Sequence, residues 1–199
     1  MERVVLKDIN SAPNFIGSWN LESFELCDEL ISYFELNTSK QKKGKTVQGL
    51  DLNIKKSVDI SIDPSEIKLP ENQIFHTYFQ GLFACHKDYL LQWPFLASFA
   101  NTVEIGSFNI QRYLAGEHFQ QIHSERTSIE SLHRIFAWMT YLNDVDEGGE
   151  TYFSHYDLEI KPRKGLTLIW PAEWTHAHKG NVLHSGSKYI ITGWMDFCT

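Results

Sequence analysis

Four short runs of alternating apolar and polar residues in the second half of the chain constrain its fold more than any other feature. The runs read SFNIQRY, HRIFAWMTYL, LTLIW and KYIITGWM, and the stretches AGE, DEGGE, PRKG, KGN and HSGS lie around and between them. Alternation with a period of two predicts β-strands, and stretches rich in Gly, Pro and Asn predict the turns that join them. Several short strands at this spacing predict a β-barrel or a jelly roll.

The first hundred residues show mostly helical patterns instead. The segment NLESFELCDELISYFELN begins at a candidate N-cap, Asn20, and its apolar residues recur at three- and four-residue steps. These apolar positions are Leu21, Phe24, Cys27, Leu30, Ile31 and Phe34. A second helix is predicted after Pro70, with an apolar stripe of Ile74, Tyr78, Leu82 and Tyr89, and the WP pair at 93–94 ends it. The alternating SVDISID between the two helices predicts a strand.

Together these patterns predict a mainly β fold with flanking helices, of the α+β class. The chain has 199 residues, 42% of them hydrophobic, which is enough to bury a core within one domain. We interpret residues 1–199 as that single domain. In this interpretation residues 1–100 form a helical N-terminal part packed outside a jelly-roll core of residues 101–199, which carries the functional site.

Charge and cysteine usage exclude several classes of protein. The formal net charge of −7 argues against a nucleic-acid binder, which would show a basic stripe. The one basic run, KQKKGK at 40–45, is interpreted as a solvated loop. No apolar stretch is long enough for a signal peptide or a membrane span, so no membrane partner is expected. Three scattered cysteines without a CxxC pair favour reduced thiols and a cytoplasmic location.

A histidine and a glutamate two residues apart, His123 and Glu125 in IHSE, are candidate metal ligands. Residues i and i+2 of a strand project from the same face, so both side chains would point into one space. Imidazole with carboxylate suits Fe, Zn, Co or Mn, and a third ligand from a distant strand would complete the site. The downstream segment WTHAHKGNVLHSGSKYIITGW offers three histidines for that place, His176, His178 and His184.

Lys188 begins a strand whose alternation places it on one face with Ile190, Thr192 and Trp194. A lysine buried among such residues without a partner is costly, which suggests an anion on that face, either a protein carboxylate or a ligand. The alternative is that Lys188 lies at the mouth of the strand and reaches water.

Several motifs occur in an order that resembles a known family. A tyrosine is followed by HxE, YLNDVDEGGETYF, PRKGLTLIWP, a histidine and GSKYIITGW. Over roughly residues 107 to 197 the chain resembles the Fe(II)/2-oxoglutarate-dependent dioxygenases of the prolyl 4-hydroxylase-like group. The resemblance implies a double-stranded β-helix, which is a jelly roll with flanking helices.

The resemblance also implies the metal ligands. His123 and Glu125 match the proximal His-x-Asp motif, with a glutamate whose arm is one methylene longer. The retained carboxylate argues against halogenation, since halogenating relatives lack it. The family's lysine follows its distal histidine by about ten residues and has a glycine two positions before it. Lys188 and Gly186 match these positions, which favours His178 over His176 and His184 as the third ligand.

Three further residues are implied to hold the cosubstrate. Lys188 would pair with the distal carboxylate of 2-oxoglutarate, Tyr141 would help to hold the same carboxylate, and Tyr113 would line the pocket. Core packing with a satisfied hydroxyl is the alternative for both tyrosines. The stretch EGGE at 147–150 is interpreted as a turn that shapes strand pairing.

The implied function is a dioxygenase that hydroxylates a C–H bond and releases succinate and CO2. Its cofactors would be Fe(II), 2-oxoglutarate and O2, with ascorbate as a candidate reductant. Its substrate would be a peptidyl residue, with proline leading. A small-molecule or free amino-acid hydroxylase stays open, as does a non-redox cupin-like metal protein or an inactive binding module. The zinc-protease motif HExxH is absent, and the oligomeric state is left open.

Overall fold

The computed structural model describes residues 13–21, 23–46 and 49–198 as two helices and thirteen strands, besides short 3-10 turns. The helices are α1 (Phe24–Leu36) and α2 (Gln73–Gln92). The strands are β1 (Gly17–Asn20), β2 (Lys42–Lys43), β3 (Lys55–Lys56), β4 (Val58–Ile62), β5 (Val103–Ile105), β6 (Phe108–Leu114), β7 (His118–His123), β8 (Arg134–Tyr141), β9 (Thr151–Phe153), β10 (Leu158–Ile160), β11 (Leu166–Pro171), β12 (His178–Gly180) and β13 (Ser187–Phe197).

The strands form two antiparallel sheets. The larger sheet has the order β1-β11-β8-β13-β6-β4-β2, with β5 paired to the end of β13, and the smaller sheet has the order β10-β9-β12-β7-β3. All the strand pairs are antiparallel. The predicted mainly β fold with flanking helices is therefore confirmed, and the four alternating runs of the sequence are β6, β8, β11 and β13.

The larger sheet is buried on both faces, which explains the nearly continuous apolar run in β8. Phe136 and Trp138 point to the face that α1 and α2 cover, where α2 contributes Tyr78 and Phe79. Ala137 and Met139 point the other way, into a second apolar cluster between the two sheets. Two layers of side chains therefore hold the sheet, and only the inner layer lies next to the cavity described below.

The second helix lies where the sequence predicts it, and the first begins later. Helix α2 ends at Gln92, because Pro94 disfavours helical conformation at the residue before it. The prediction of Asn20 as an N-cap is wrong: Asn20 belongs to β1 and pairs with Leu166. The cap of α1 is Ser23, whose side chain accepts a hydrogen bond from the Leu26 amide.

The prediction of a mostly helical first half is incomplete, because this half also supplies strands to both sheets. Strand β1 pairs with β11, β4 pairs with β6, and β3 pairs with β7. The interpretation of KQKKGK as a solvated loop is right about solvation, since Lys42, Lys43 and Lys45 are exposed, but wrong about the loop. Lys42 and Lys43 form β2, which pairs with β4 at the edge of the larger sheet. None of the helices in the described part of the chain has the length and apolarity needed to span a membrane.

Candidate metal and cosubstrate site

His123 and His178 face each other across two neighbouring strands of the smaller sheet. His123 is the last residue of β7 and His178 the first of β12, and the two are direct partners in the antiparallel register. Their ring centroids lie 4.5 Å apart. Strand pairing therefore brings together two histidines that are 55 positions apart in sequence. The Phe119 ring stacks on His123 at 3.9 Å and limits its rotation.

Glu125 joins the histidines from just beyond the end of β7. It is not a strand residue, so the expectation of a shared strand face with His123 is wrong for its backbone, although its side chain reaches the same space. Its Oε1 lies 3.4 Å from His178 Nε2 and 3.7 Å from His123 Nε2. Its backbone is fixed by two hydrogen bonds, from Glu125 N–H to the Ala172 carbonyl and from Arg134 to the Glu125 carbonyl.

Hydrogen bonds set the two imidazoles for metal binding. His123 Nδ1 lies 2.8 Å from the Gln121 carbonyl oxygen, and His178 Nδ1 lies 2.9 Å from the His176 carbonyl oxygen. In a neutral imidazole each Nδ1 must then carry the proton and donate it to the carbonyl. Both Nε2 lone pairs are left free and point toward Glu125 Oε1. Backbone carbonyls commonly orient metal-binding histidines in this way.

The second oxygen of Glu125 is held by a tryptophan. Trp194 Nε1 donates a hydrogen bond of 2.7 Å to Glu125 Oε2, and the Arg134 guanidinium stacks over the Trp194 ring at 3.6 Å. The longer arm of glutamate thus connects to Trp194 through one oxygen and to the histidines through the other. The sequence placed Trp194 on this face but carried no signal for its bond to Glu125.

The pKa values of His178 and Glu125 favour the protonation states that bind a metal at neutral pH. Burial, aided by the neighbouring His123, lowers the pKa of His178 to about 4, so its ring is neutral. Burial pushes the pKa of Glu125 upward, but His123, His178, the Trp194 hydrogen bond and Arg134 outweigh it, so the pKa lies below the usual value. A neutral imidazole and an ionised carboxylate are the protonation states that bind a divalent metal.

These three residues fit one divalent ion. One ring nitrogen from each of His123 and His178 and one carboxylate oxygen of Glu125 all lie within 4.8 Å of one another. Ligands about 2.1 Å from a shared ion and at right angles to each other would be ~3 Å apart. The distances from Glu125 Oε1 to the two histidine nitrogens, 3.4 and 3.7 Å, are somewhat longer than this. Two histidines and one carboxylate on one side of an ion form the ligand set of non-haem Fe(II) oxygenases.

The other two histidines of the downstream segment lie outside the site. His176 is buried, with Nε2 2.7 Å from the Asn14 carbonyl oxygen and Nδ1 3.0 Å from Thr175 Oγ1. His184 is exposed, and its backbone pairs with Glu147. His178 alone of the three approaches Glu125, because β12 pairs with β7.

A cavity of about 710 Å³ opens between the two sheets and contains the metal site. Its wall includes Met139 and Ile190 of the larger sheet and Phe119 of the smaller sheet. The face of β13 that carries Lys188, Ile190, Thr192 and Trp194 lines it, as the alternation of the sequence predicts.

Lys188 is a buried cation inside this cavity, with a side chain that does not reach water. Only 4% of the residue is exposed, its Nζ donates to the Gly149 carbonyl at 2.8 Å, and it lies 4.5 Å from the centre of the Tyr113 ring. Burial lowers the pKa of Lys188 to about 8, with Glu150 acting in the opposite direction. In the described part of the chain no carboxylate lies within 4.0 Å of Lys188. Its charge is thus free to pair with an anion in the cavity.

The EGGE turn positions this lysine. Gly148 and Gly149 both adopt positive φ, at 78° and 72°, which favours glycine. A Cβ on Gly149 would lie 3.3 Å from Lys188 Cδ. The turn therefore brings a carbonyl oxygen against the ammonium, in addition to the role in strand pairing that the sequence suggests.

The two predicted tyrosines have different positions. Tyr113 lines the cavity beneath Lys188, and its hydroxyl donates to Gln111 Oε1 at 2.7 Å. Tyr141 is fully buried, and its hydroxyl lies 2.6 Å from Thr151 Oγ1 and 3.2 Å from the Ile160 carbonyl oxygen. Thr151, but not Tyr141, is among the cavity-lining residues. The hydroxyl of Tyr141 is thus engaged in the core and reaches the cavity only through Thr151, and its role in holding the cosubstrate stays a prediction.

Sequence reasoning missed a buried ion pair in the cavity wall. Lys55 Nζ lies 2.7 Å from Asp59 Oδ2, and Ser57 Oγ donates to the other oxygen of Asp59 at 2.7 Å. The three residues alternate through KKSVD at 55–59, where the predicted strand begins. This alternation becomes a usable signal only once β3 and β4 are known to face the cavity.

A family model matches the second half of the chain, which contains the candidate metal ligands. Residues 108–196 match the family model of the 2OG-Fe(II) oxygenase superfamily. The matched segment is 89 of the 199 residues, so the similarity to this superfamily covers somewhat less than half of the chain. The match includes His123, Glu125, His178 and Lys188, and the resemblance to prolyl 4-hydroxylase-like members drawn from the motifs is confirmed. The superfamily is named for Fe(II) and 2-oxoglutarate, in agreement with the expected cofactors.

Curated relatives are similar over part of their length. Probable prolyl 4-hydroxylase 9 of Arabidopsis thaliana is 31% identical over 115 residues, which are 45% of this chain and 40% of that protein. Prolyl 4-hydroxylase 13 of the same plant is 28% identical over 115 residues, or 45% of this chain and 42% of that protein. The chain thus spans about two fifths of the length of these relatives.

Solved structures share the fold over nearly the whole chain. A prolyl hydroxylase from Trichoplax adhaerens, in complex with a peptide fragment of a hypoxia inducible factor, has a TM-score of 0.71 at 15% identity, covering 92% of this chain and 84% of that one. The viral collagen prolyl hydroxylase of Paramecium bursaria Chlorella virus-1, in its 2OG complex, has a TM-score of 0.66 at 18% identity and covers 92% and 97%. At these identities the likeness is one of fold.

Proposed function

We propose that this chain is an Fe(II)- and 2-oxoglutarate-dependent hydroxylase acting on a peptidyl side chain, with proline as the leading substrate residue. The observation that carries the proposal is the coexistence, in one cavity, of three converging metal ligands and a buried lysine that has no carboxylate within 4.0 Å in the described part of the chain. A buried cation without a directly paired anion lowers the stability of the folded protein. A dianionic cosubstrate beside a metal removes that loss of stability.

His123, Glu125 and His178 would hold Fe(II), and Lys188 would bind the distal carboxylate of 2-oxoglutarate. When bound, the metal and cosubstrate supply the oxidation, in which O2 is split between the C–H bond, which becomes C–OH, and succinate, with loss of CO2. The chain orients the cosubstrate through Lys188 and holds Glu125 through Trp194. The apolar walls, including Met139 and Ile190, exclude water and aim the reaction at one bond.

The peptidyl part of the proposal is supported by relatives and by the shape of the cavity. Two relatives that are similar over 45% of this chain are named prolyl 4-hydroxylases, and one neighbour in fold was solved with a peptide. The cavity of about 710 Å³ is open at one side and extends from the metal site to strand β2 at the sheet edge. An extended peptide could therefore lie across its mouth.

The decisive experiment is mass spectrometry on proline-containing peptides incubated with the protein, Fe(II), 2-oxoglutarate and ascorbate. A product heavier by one oxygen atom is expected, with succinate formed in equal amount, and His178→Ala should yield neither. Product from free amino acids alone would favour a small-molecule hydroxylase of the same family. Absence of succinate under every condition would favour the cupin-like protein or the inactive binding module.

A further inference from the structure

Positive charge is concentrated around the cavity of an acidic protein. The chain has 18 lysines and arginines and 25 aspartates and glutamates, with a net charge of −7. Eight of the basic residues line the cavity, against three of the acidic ones. Among those three, Asp59 is paired with Lys55 and Glu125 is a candidate metal ligand. The free charge at the cavity is therefore positive, opposite in sign to that of the whole chain.

Much of this charge comes from one short segment at the cavity mouth. Lys42, Lys43 and Lys45, here called the basic rim, all line the cavity and are all exposed. In the described residues no carboxylate lies within 4.0 Å of any of the three. The neighbouring Lys40 differs, because it pairs with Glu66 at 3.1 Å.

The basic rim is fixed to the sheet by packing. Lys42 and Lys43 pair with Asp59 and Val58 of β4, and Gly44 N–H donates to the Ser57 carbonyl at 2.9 Å. Gly44 is buried, and a Cβ there would collide with Ser57 Oγ and approach Asp59 Oδ2 at 3.0 Å. A glycine is thus required for the basic segment to lie against the Lys55–Asp59 pair. The lysines are held at the mouth by this backbone arrangement.

We propose that the basic rim binds acidic residues of the substrate peptide next to the residue that enters the cavity. This inference rests on the proposed hydroxylase function and names its substrate class as an acidic peptide. Lys42 and Lys43 are successive residues of β2 and Lys45 follows shortly after its end, so three charges lie along one short segment and can meet carboxylates spaced along an extended chain. A small molecule with one anionic group would pair with at most one of these lysines and leave the others unpaired. Strand β2 also lies at the end of its sheet, where an extended peptide can approach.

The rim should act through long-range attraction as well as contact. Exposed charges act over a Debye length of about 8 Å at physiological ionic strength. Three exposed lysine–carboxylate ion pairs of ordinary strength would together change the affinity for the peptide by about tenfold. The preference for an acidic peptide should therefore be largest at low salt and decline as salt is raised.

The test compares two triple variants of equal charge. K42E/K43E/K45E reverses the basic rim, and K68E/K87E/K161E reverses three exposed lysines that do not line the cavity. Each is titrated with fluorescein-labelled peptides that carry a central proline flanked by glutamates or by glutamines, and binding is read by anisotropy with Mn(II) in place of Fe(II). Hydroxylation of the same peptides is measured separately by mass spectrometry.

We expect wild type and the control triple to bind the glutamate peptide about tenfold more tightly than the glutamine peptide at low salt, and the rim triple to lose this preference. Equal binding of both peptides by wild type, or equal loss in both triples, would overturn the inference. The inference would also be overturned if a single-stranded oligonucleotide of the same charge displaced the labelled glutamate peptide at the concentration at which the unlabelled glutamate peptide does. Charge-selective binding without hydroxylation would support the rim and contradict the hydroxylase. Hydroxylation without a preference for the glutamate peptide would support the hydroxylase and contradict the role of the basic rim.

Discussion

At the scale of single residues, the identity of the third metal ligand is the sharpest question. His178→Ala removes an imidazole that faces His123 and Glu125, whereas His184→Ala changes an exposed side chain outside the site. We expect His178→Ala to weaken Mn(II) binding, measured by calorimetry, by at least about a hundredfold. His184→Ala should bind like wild type. Equal losses in the two variants would contradict the assignment of His178.

Trp194 should act as a positioning residue for Glu125. Trp194→Phe keeps the aromatic ring beside Arg134 but removes the N–H that donates to Glu125 Oε2. Loss of such an orienting hydrogen bond typically weakens metal affinity by about 10- to 100-fold. We expect that loss in Mn(II) titrations, with the unfolding temperature little changed. Trp174→Phe is the matched control, because Trp174 is 68% exposed and does not line the cavity.

Lys188 should control cosubstrate binding and leave the metal site intact. Lys188→Met retains much of the buried apolar stem but removes the ammonium near Gly149 and Tyr113. Removing one partner of a buried ion pair costs about 3–5 kcal/mol, so 2-oxoglutarate affinity should fall by a hundredfold or more. Calorimetry with Mn(II)-loaded protein measures this, and Mn(II) affinity itself should not change. An unchanged 2-oxoglutarate affinity would leave Lys188 without a role in the cosubstrate site.

At the scale of elements, the backbone conformation of the EGGE turn should control the position of Lys188 in the cavity. Gly149→Ala forces a side chain into a residue with φ of 72° and brings a Cβ to 3.3 Å from Lys188 Cδ. Gly116→Ala is the control, since Gly116 has φ of 82° with no atom within 4 Å of the added Cβ. Both should lose about 1–2 kcal/mol in the free energy of unfolding from left-handed strain. Only Gly149→Ala should also weaken 2-oxoglutarate binding, which isothermal titration would detect.

At the scale of the whole molecule, the buried lysine should change stability with pH. The pKa of Lys188 is about 8 in the folded protein, whereas the ordinary lysine value of 10.5 applies to the unfolded chain. Below pH 8 the lysine is therefore protonated in both states. Between pH 8 and 10.5 the unfolded state holds more protons, and the free energy of unfolding rises with pH. The groups facing its ammonium are the Gly149 carbonyl, the Tyr113 ring and the Glu150 carboxylate.

Urea unfolding without metal or cosubstrate at pH 7.5 and 9.5 measures this effect. From about pH 7.5 to about pH 9.5 wild type should gain about 2 kcal/mol relative to Lys188→Met, in which the titrating group is absent. Adding 2-oxoglutarate should reduce the gain, because an anion beside Lys188 raises its pKa again. An identical pH dependence in the two proteins would mean that Lys188 is not buried as a cation.

The fold class and most of the candidate site follow from local sequence patterns. Alternation predicted β6, β8, β11 and β13, because a strand between two layers needs alternate side chains on each face. The HxE pair supplied two of the three residues that converge, and the resemblance to the dioxygenases, whose lysine follows the distal histidine by about ten residues, favoured His178 as the third. The single-domain interpretation, the roles of the site residues and the cytoplasmic location stay predictions. Substrate and oligomeric state are not encoded in these patterns.

Tertiary structure decided what depends on partners distant in sequence. Asn20 has the side chain of a cap, yet its pairing with Leu166 makes it a strand residue. Tyr141 matches a cosubstrate position, yet Thr151 and the Ile160 carbonyl engage its hydroxyl. The run KQKKGK reads as solvated, yet the fit of Gly44 against Ser57 brings it to the cavity mouth. Alternation and propensity are set by neighbours along the chain, whereas each of these outcomes depends on an atom brought near only by sheet pairing and close packing.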